Sequence, residues 1–166
     1  VMDLGAMVCT PRRPDCSLCP WSAACAGRNI AGSLPRRAAR PERPTRRGVA
    51  FWITRPDGAV LLRRRPDDGL LGGMVEVPST PWREGEMPTP SSARREAPLS
   101  APDWELMPGT VRHTFTHFHL ELAVLAGRVG CTAAAAGAIW SQPDEMGRQA
   151  LPTVMKKVAR HALRHG

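Results

Sequence analysis

The pattern of apolar and polar positions changes near residue 48. After it, short apolar runs recur at the lengths of strands. Val49-Ala50-Phe51-Trp52-Ile53 and Ala59-Val60-Leu61-Leu62, separated by Pro56-Asp57-Gly58, predict a β-hairpin. Leu70 to Pro78 carries Gly72-Gly73 and predicts a tight turn feeding another short strand. Phe118, Leu120, Leu122 and Val124 alternate with His117, His119, Glu121 and Ala123, a period of two that predicts a half-buried strand. Near the end, Val154, Met155, Val158, Ala159, Ala162 and Leu163 share one helical face, opposite Lys156, Lys157, Arg160 and Arg164. Thr153 is the candidate N-cap of that helix. Strands followed by a packed helix make 48–166 an α+β domain. Residues 28–47 hold three prolines and seven arginines with little apolar periodicity, and read as an extended basic linker.

Charge sharpens the division. The net charge is +8. Residues 1–47 contribute +6 of it, from nine arginines against Asp3, Asp15 and Glu42, and 48–166 contribute +2. An arginine-rich segment attracts phosphate backbones through counterion release, although a solvated basic linker has the same composition. No run approaches the ~18 apolar residues of a membrane span, and no signal peptide is visible. The expectation is a soluble, monomeric chain of the bacterial cytosol or nucleoid, away from membranes. The chain opens on Val1 with an apolar stretch already under way, and reads as part of a longer protein.

Cys9, Cys16, Cys19 and Cys25 form the pattern C-x6-C-x2-C-x5-C. Four thiolates in so short a segment can converge on one metal centre. A disulfide framework fits poorly without a secretory signal. Structural zinc usually takes two close Cys-x-x-Cys pairs, whereas only Cys16 and Cys19 form one here, and a [4Fe–4S] cluster is the other possibility. With its flank Met2-Asp3-Leu4-Gly5-Ala6-Met7-Val8, the pattern resembles the cluster loop of the endonuclease III and MutY glycosylases. The resemblance implies that 1–27 is the end of a helical glycosylase core, that the four cysteines bind [4Fe–4S], and that the cluster is structural. Arg12 and Arg13, between the first two ligands, are candidate phosphate contacts or else ordinary exposed arginines. Cys131 is expected to be a small buried residue with no ligand role.

The order of hairpin, Gly-Gly strand, further strands and terminal helix resembles the Nudix fold, a mixed sheet with packed helices. A hydrolytic Nudix domain carries G-x5-E-x7-R-E-U-x-E-E-x-G-U, whose glutamates hold magnesium. Here Arg83-Glu84 is followed by Gly85-Glu86-Met87-Pro88, and Val75 stands where the first glutamate belongs. Prolines at 78, 81, 88 and 90 oppose a long helix there. The domain therefore reads as a Nudix fold used for recognition.

Arg112-His113-Thr114-Phe115-Thr116-His117-Phe118-His119 has three readings. A single strand would put His113, His117 and His119 on one side, as a metal site or as a wet sheet face. The third is base recognition, with an aromatic ring at a base step and hydroxyl and imidazole groups at a base edge. Phe115-Thr116-His117 resembles the Phe-Ser-His loop with which MutY-family proteins read 8-oxoguanine, with Thr116 in place of serine. The resemblance implies that Phe115 intercalates, Thr116 bonds the lesion edge and His117 supports the loop, with His113 upstream. It implies the C-terminal part of an adenine DNA glycosylase. Its partner would be duplex DNA with 8-oxoguanine:adenine or guanine:adenine mispairs, and the catalytic carboxylates would lie upstream of Val1. A Nudix pyrophosphohydrolase and a non-catalytic zinc-bearing DNA-binding module are the alternatives.

Overall fold

The computed structural model describes residues 1–36, 42–133 and 135–166. Arg37 and Arg40 of the expected linker lie outside them. The described chain forms two compact units, Val1–Glu42 and Arg43–Gly166. The first holds a short helix α1 (Met2–Met7) and two 3-10 turns, Ser22–Ala24 and Arg28–Ser33. None of its described residues is buried, so this unit has no apolar core of its own.

The second unit is built on strand β1 (Thr45–Thr54), which starts three residues before the composition boundary at Gly48. Arg46 and Arg47, read as linker, are strand residues. The change of composition marks where side chains become buried, and a strand can begin before that. β2 (Val60–Arg64) returns antiparallel, closed by Gly58 at φ 82°, a left-handed value that favours glycine. β3 (Val75–Glu76) and β4 (Arg83–Glu84) follow, then the short helix α2 (Pro90–Arg94). Thr89 caps α2 by accepting from the Ser92 N–H, and Pro90 opens it, so the prolines shorten a helix here without abolishing it. β5 (Trp104–Leu106), β6 (Val111–Thr114), β7 (His119–Arg128) and β8 (Ala138–Ser141) complete the sheet, and α3 (Thr153–His165) closes the chain.

The central path runs β3-β2-β1-β7-β5, with β4 also on β1, β6 on β7 and β8 on β2. β1 and β7 pair in parallel over their whole lengths, from Thr45↔His119 to Thr54↔Arg128. Both strands are covered on both faces. Ala50, Trp52, Leu120, Leu122 and Val124 pack with Val154, Met155, Val158, Ala159 and Ala162 of α3. Val49, Phe51, Ile53, Ala123 and Leu125 pack with Leu61 and with Ala93 of α2. β7 is thus fully buried in its middle, where alternation predicted a half-buried strand. The polar alternation ends at Glu121, and Leu122-Ala123-Val124-Leu125 is a continuous apolar run, as a strand buried on both faces requires. Gly127 admits no larger residue: a Cβ there would meet the Trp104 ring at 2.9 Å.

Two details of the terminal helix differ from the sequence reading. Pro152 occupies the cap position with Thr153 inside the first turn, and Leu163 is 54% exposed. Cys131 is also exposed. Among the described residues, no helix is long and apolar enough to cross a membrane.

Burial sets the expected stability effects. Leu122→Ala, at a fully buried position, is expected to cost about 2–5 kcal/mol in urea unfolding, and Leu163→Ala less than about 0.5 kcal/mol. Equal losses from the two substitutions would contradict the placement of α3.

Candidate nucleic-acid interface

The histidine-rich segment is a hairpin, not one strand. β6 pairs with β7 through His113↔Leu120 and Thr114↔His119, leaving Phe115 to Phe118 as the connecting turn. The Phe115 N–H donates to the Phe118 carbonyl at 2.9 Å, and Thr114 Oγ1 bonds His119 Nδ1 at 2.9 Å across the base of the turn. His113, His117 and His119 therefore occupy two strands and a turn, and the shared strand face proposed for them does not exist.

Within the turn, Thr116 and His117 are exposed, Phe115 is half-buried and Phe118 is buried. The Phe115 ring stacks on Phe118 at 4.7 Å, meets His113 edge-on at 4.7 Å and approaches Trp82 at 6.0 Å. Such packing holds the ring as a fixed aromatic platform. For Phe115 to enter a base step, it must exchange part of this stack for the base. His119, read from the sequence with His113 and His117 as a metal site or wet strand face, is the imidazole that braces the turn, and His117 is exposed.

Cationic residues surround this end of the sheet. Arg46 lies over the Phe118 ring at 4.5 Å. Arg47 bonds Glu121 at 3.0 Å and the Gly85 carbonyl at 2.6 Å, and Arg112 reaches the other Glu121 oxygen at 3.2 Å. Lys157 donates to the Arg112 carbonyl at 3.0 Å and tethers α3 to β6. Burial, with the positive charge of Lys157, holds the His113 imidazole below its ordinary value near 6.5. His113 is thus an uncharged member of the aromatic group. Trp82 escaped the sequence reading, and Arg46 was read as linker, because register and loop closure bring them to the turn and no local spacing encodes that.

The Nudix carboxylates are missing from the fold as well. A second Arg-Glu pair, Arg95-Glu96, follows α2, and Ala97-Pro98-Leu99 comes next in place of the further glutamates. Glu76 on β3 is fully buried, but both its oxygens are engaged by Arg63, at 2.7 Å, and by Arg65. Among the described residues, no three His, Cys, Asp or Glu side chains converge on a single-ion position.

In the first unit, Cys9, Cys16, Cys19 and Cys25 border one largely apolar cavity of about 420 Å³. The Asp15 N–H donates to the Val8 carbonyl at 2.9 Å and Thr10 Oγ1 to the Arg13 carbonyl at 2.7 Å, which pins the loop that exposes Arg12 and Arg13. The Ser17 hydroxyl and N–H bond Asp15 and keep its carboxyl below the usual carboxylate range.

Comparison with known proteins follows these two regions. The NUDIX domain family pattern matches residues 49–161. The human adenine DNA glycosylase is 31% identical over 96% of this chain, and the match covers 39% of that protein. The chain spans about two-fifths of the length of the adenine DNA glycosylases it matches. The C-terminal domain of mouse MUTYH, solved in complex with human PCNA, superposes with a TM-score of 0.60 at 29% identity, covering 72% of this chain and 88% of that one. The MutT protein of Methanosarcina mazei Go1 shares the fold at a TM-score of 0.61 and 17% identity, covering 75% of this chain and 98% of that one.

A pH dependence follows from two imidazoles. His161, like His113, is held below its ordinary value, by burial and by the neighbouring His165. The unfolded chain binds these protons more readily, so stability is complete above about pH 6.5 and falls as pH drops through that value. The urea midpoint should fall between pH 7.5 and 5.5, and fall less in a His113→Gln/His161→Gln variant. Equal falls in the two proteins would refute the assignment.

Proposed function

The chain belongs to the NUDIX domain family and is similar over nearly all its length to adenine DNA glycosylases, and from this premise we propose that it is the C-terminal part of such an enzyme. It serves the removal of adenine mispaired with 8-oxoguanine or guanine in base-excision repair. The chain binds the damaged duplex and reads the base opposite the adenine, while the glycosidic bond is cleaved by carboxylates elsewhere in the whole protein.

The observation that carries this reading is the β6–β7 turn. It presents Thr116 and His117 to solvent beside a fixed aromatic ring, with Arg46, Arg47 and Arg112 on the strands around it. In that arrangement arginines take phosphates and set the register, and the turn meets a base edge. Phe115 offers the platform at the lesion step. Thr116 supplies a hydroxyl, His117 reaches the lesion strand, and uncharged His113 supports Phe115 from behind. Arg12 and Arg13 add phosphate contacts from the first unit. A hydrolytic Nudix role is disfavoured because Glu76 is committed to two arginines and Arg95-Glu96 lacks its following glutamates.

Cys9, Cys16, Cys19 and Cys25 are the proposed ligands of a [4Fe–4S] cluster, which when bound supplies structural cross-linking of the loop. Four thiols ranged around one cavity of about 420 Å³ suit a multi-iron core. A zinc ion, with Zn–S bonds of ~2.3 Å, would draw its sulfurs to within about 3.8 Å of one another. The absence of an apolar core in this unit gives such a cross-link a clear structural role.

Two measurements test the proposal. Phe115→Ala in the whole protein should reduce the preference for 8-oxoguanine over guanine opposite adenine by roughly tenfold, the scale of one lost stacking contact. An unchanged preference would put the reader elsewhere. Anaerobically purified chain should contain iron and sulfide, lost in a Cys16→Ser variant; zinc in their place would favour the zinc-bearing module. The chain alone is expected to release no adenine.

A further inference from the structure

The tip of the β6–β7 hairpin lacks the backbone geometry that ordinarily closes so short a turn. Only Thr116 and His117 stand between Phe115 and Phe118. Two-residue hairpin loops favour turns with a positive φ at one or both central residues. Neither Thr116 nor His117 has one. Such a loop can form two backbone bonds between its flanking residues, and among the described residues only the one from the Phe115 N–H to the Phe118 carbonyl is made. Side chains must therefore hold the tip, and they do so on both faces of the hairpin.

Successive strand residues point to opposite faces. On one face, His113, Phe115 and Phe118 form the aromatic group, with Arg46 over Phe118. On the other, Thr114 Oγ1 meets His119 Nδ1 at 2.9 Å, one step from the Arg112–Glu121 ion pair at 3.2 Å. Thr114 and His119 are both exposed and belong to neither apolar cluster, so their contact adds little to the core. The His119 backbone is fixed without it, because its N–H donates to the Pro44 carbonyl and the residue pairs with Thr45 on β1. The side-chain bond thus constrains the two strand ends from which the tip hangs, and little else. Its weight grows when a base arrives. Phe115 then gives up part of its stack, and the restraint on the aromatic face loosens. The Thr114–His119 bond and one backbone bond remain to hold Thr116 and His117 in place.

We infer that the Thr114–His119 bond sets lesion specificity: both are positioning residues that hold Thr116 at the edge of 8-oxoguanine without touching the base themselves. The inference rests on the reading of the turn proposed above. A tip ordered beforehand meets the lesion directly, whereas a loose tip loses conformational entropy on binding it. Arginine contacts to phosphates are the same whichever base lies opposite the adenine. Loosening the tip therefore lowers the preference for the lesion and leaves affinity for the undamaged duplex alone.

The test uses the whole protein and reads the ratio of adenine release opposite 8-oxoguanine to that opposite guanine. Thr114→Val removes the hydroxyl at nearly constant shape, and His119→Phe removes Nδ1 while keeping a ring. Each should lower the ratio roughly fivefold, the scale of one hydrogen bond. Thr114→Ser keeps the hydroxyl and His119→Asn puts an amide near the place of Nδ1, so both should keep the ratio high. The double variant Thr114→Val/His119→Phe should lose no more than either single one, since both break the same bond. Affinity for undamaged duplex and its salt slope should not move in any of them, whereas a merely structural defect would lower both. An unchanged ratio in either folded single variant, losses that add in the double variant, or unfolding of both single variants would overturn the inference. If one unfolds, the other decides. Phe115→Ala separates the bond from the reading beneath it. A lower ratio in Phe115→Ala with an unchanged one in Thr114→Val sinks the positioning role alone; the reverse result sinks the Phe115 platform and leaves the positioning role standing.

Discussion

The parallel pairing of β1 with β7 is the constraint on which the second unit depends. Ten consecutive residue pairs join two strands that lie between two apolar layers. A slip of one residue would exchange the layers, sending Phe51 and Ile53 to the face that α3 covers and Trp52 to the other. The groups around the β6–β7 turn take their positions from this pair. Arg46 and Arg47 open β1, His119 opens β7, and the turn that carries Thr116 and His117 is the loop β7 emerges from. The buried Glu76 ion pairs depend on it too, because β2 lies between β1 and β3.

The two units solve stability differently. The second buries two layers of side chains, while the first buries none among its described residues and relies on short backbone bonds around four cysteines. A segment of that kind has little hydrophobic reason to hold one conformation. Its order must come from covalent or coordinate links, or from surfaces beyond its own. Exposed Met2, Met7, Leu18 and Trp21 are the apolar groups such surfaces would cover.

Much of this was legible in the sequence. The β1–β2 hairpin could be read from Pro56-Asp57-Gly58, α3 from its apolar stripe, and the Nudix-like order from the succession of runs. The residues of the β6–β7 turn were singled out through resemblance, since Phe115-Thr116-His117 has no periodicity of its own. What escaped was non-local. Arg46 looked like linker because strand entry precedes burial by three residues, and β7 looked half-exposed because its first residues alternate with polar His119 and Glu121, the latter paired with arginines of the flanking strands β1 and β6. The ion pairs of Arg63 and Arg65 with Glu76 went unread, because thirteen and eleven residues separate the partners and the pairing of β2 with β3 brings them together. Arg95-Glu96 was passed over beside the more conspicuous Arg83-Glu84.

The entry of the chain into the centre of its sheet has a mechanical consequence. The segment that leads out of the first unit becomes β1 directly, and the Pro44 carbonyl already accepts from the His119 N–H at 2.9 Å. A pull on that segment acts along the strand axis, so the rungs of the β1–β7 ladder share the load in shear and do not peel one after another. The rung that feels it first is the one at the foot of the β6–β7 turn. Tension in the connection would thus arrive at the end of the domain that carries Thr116 and His117 before it reached any other part.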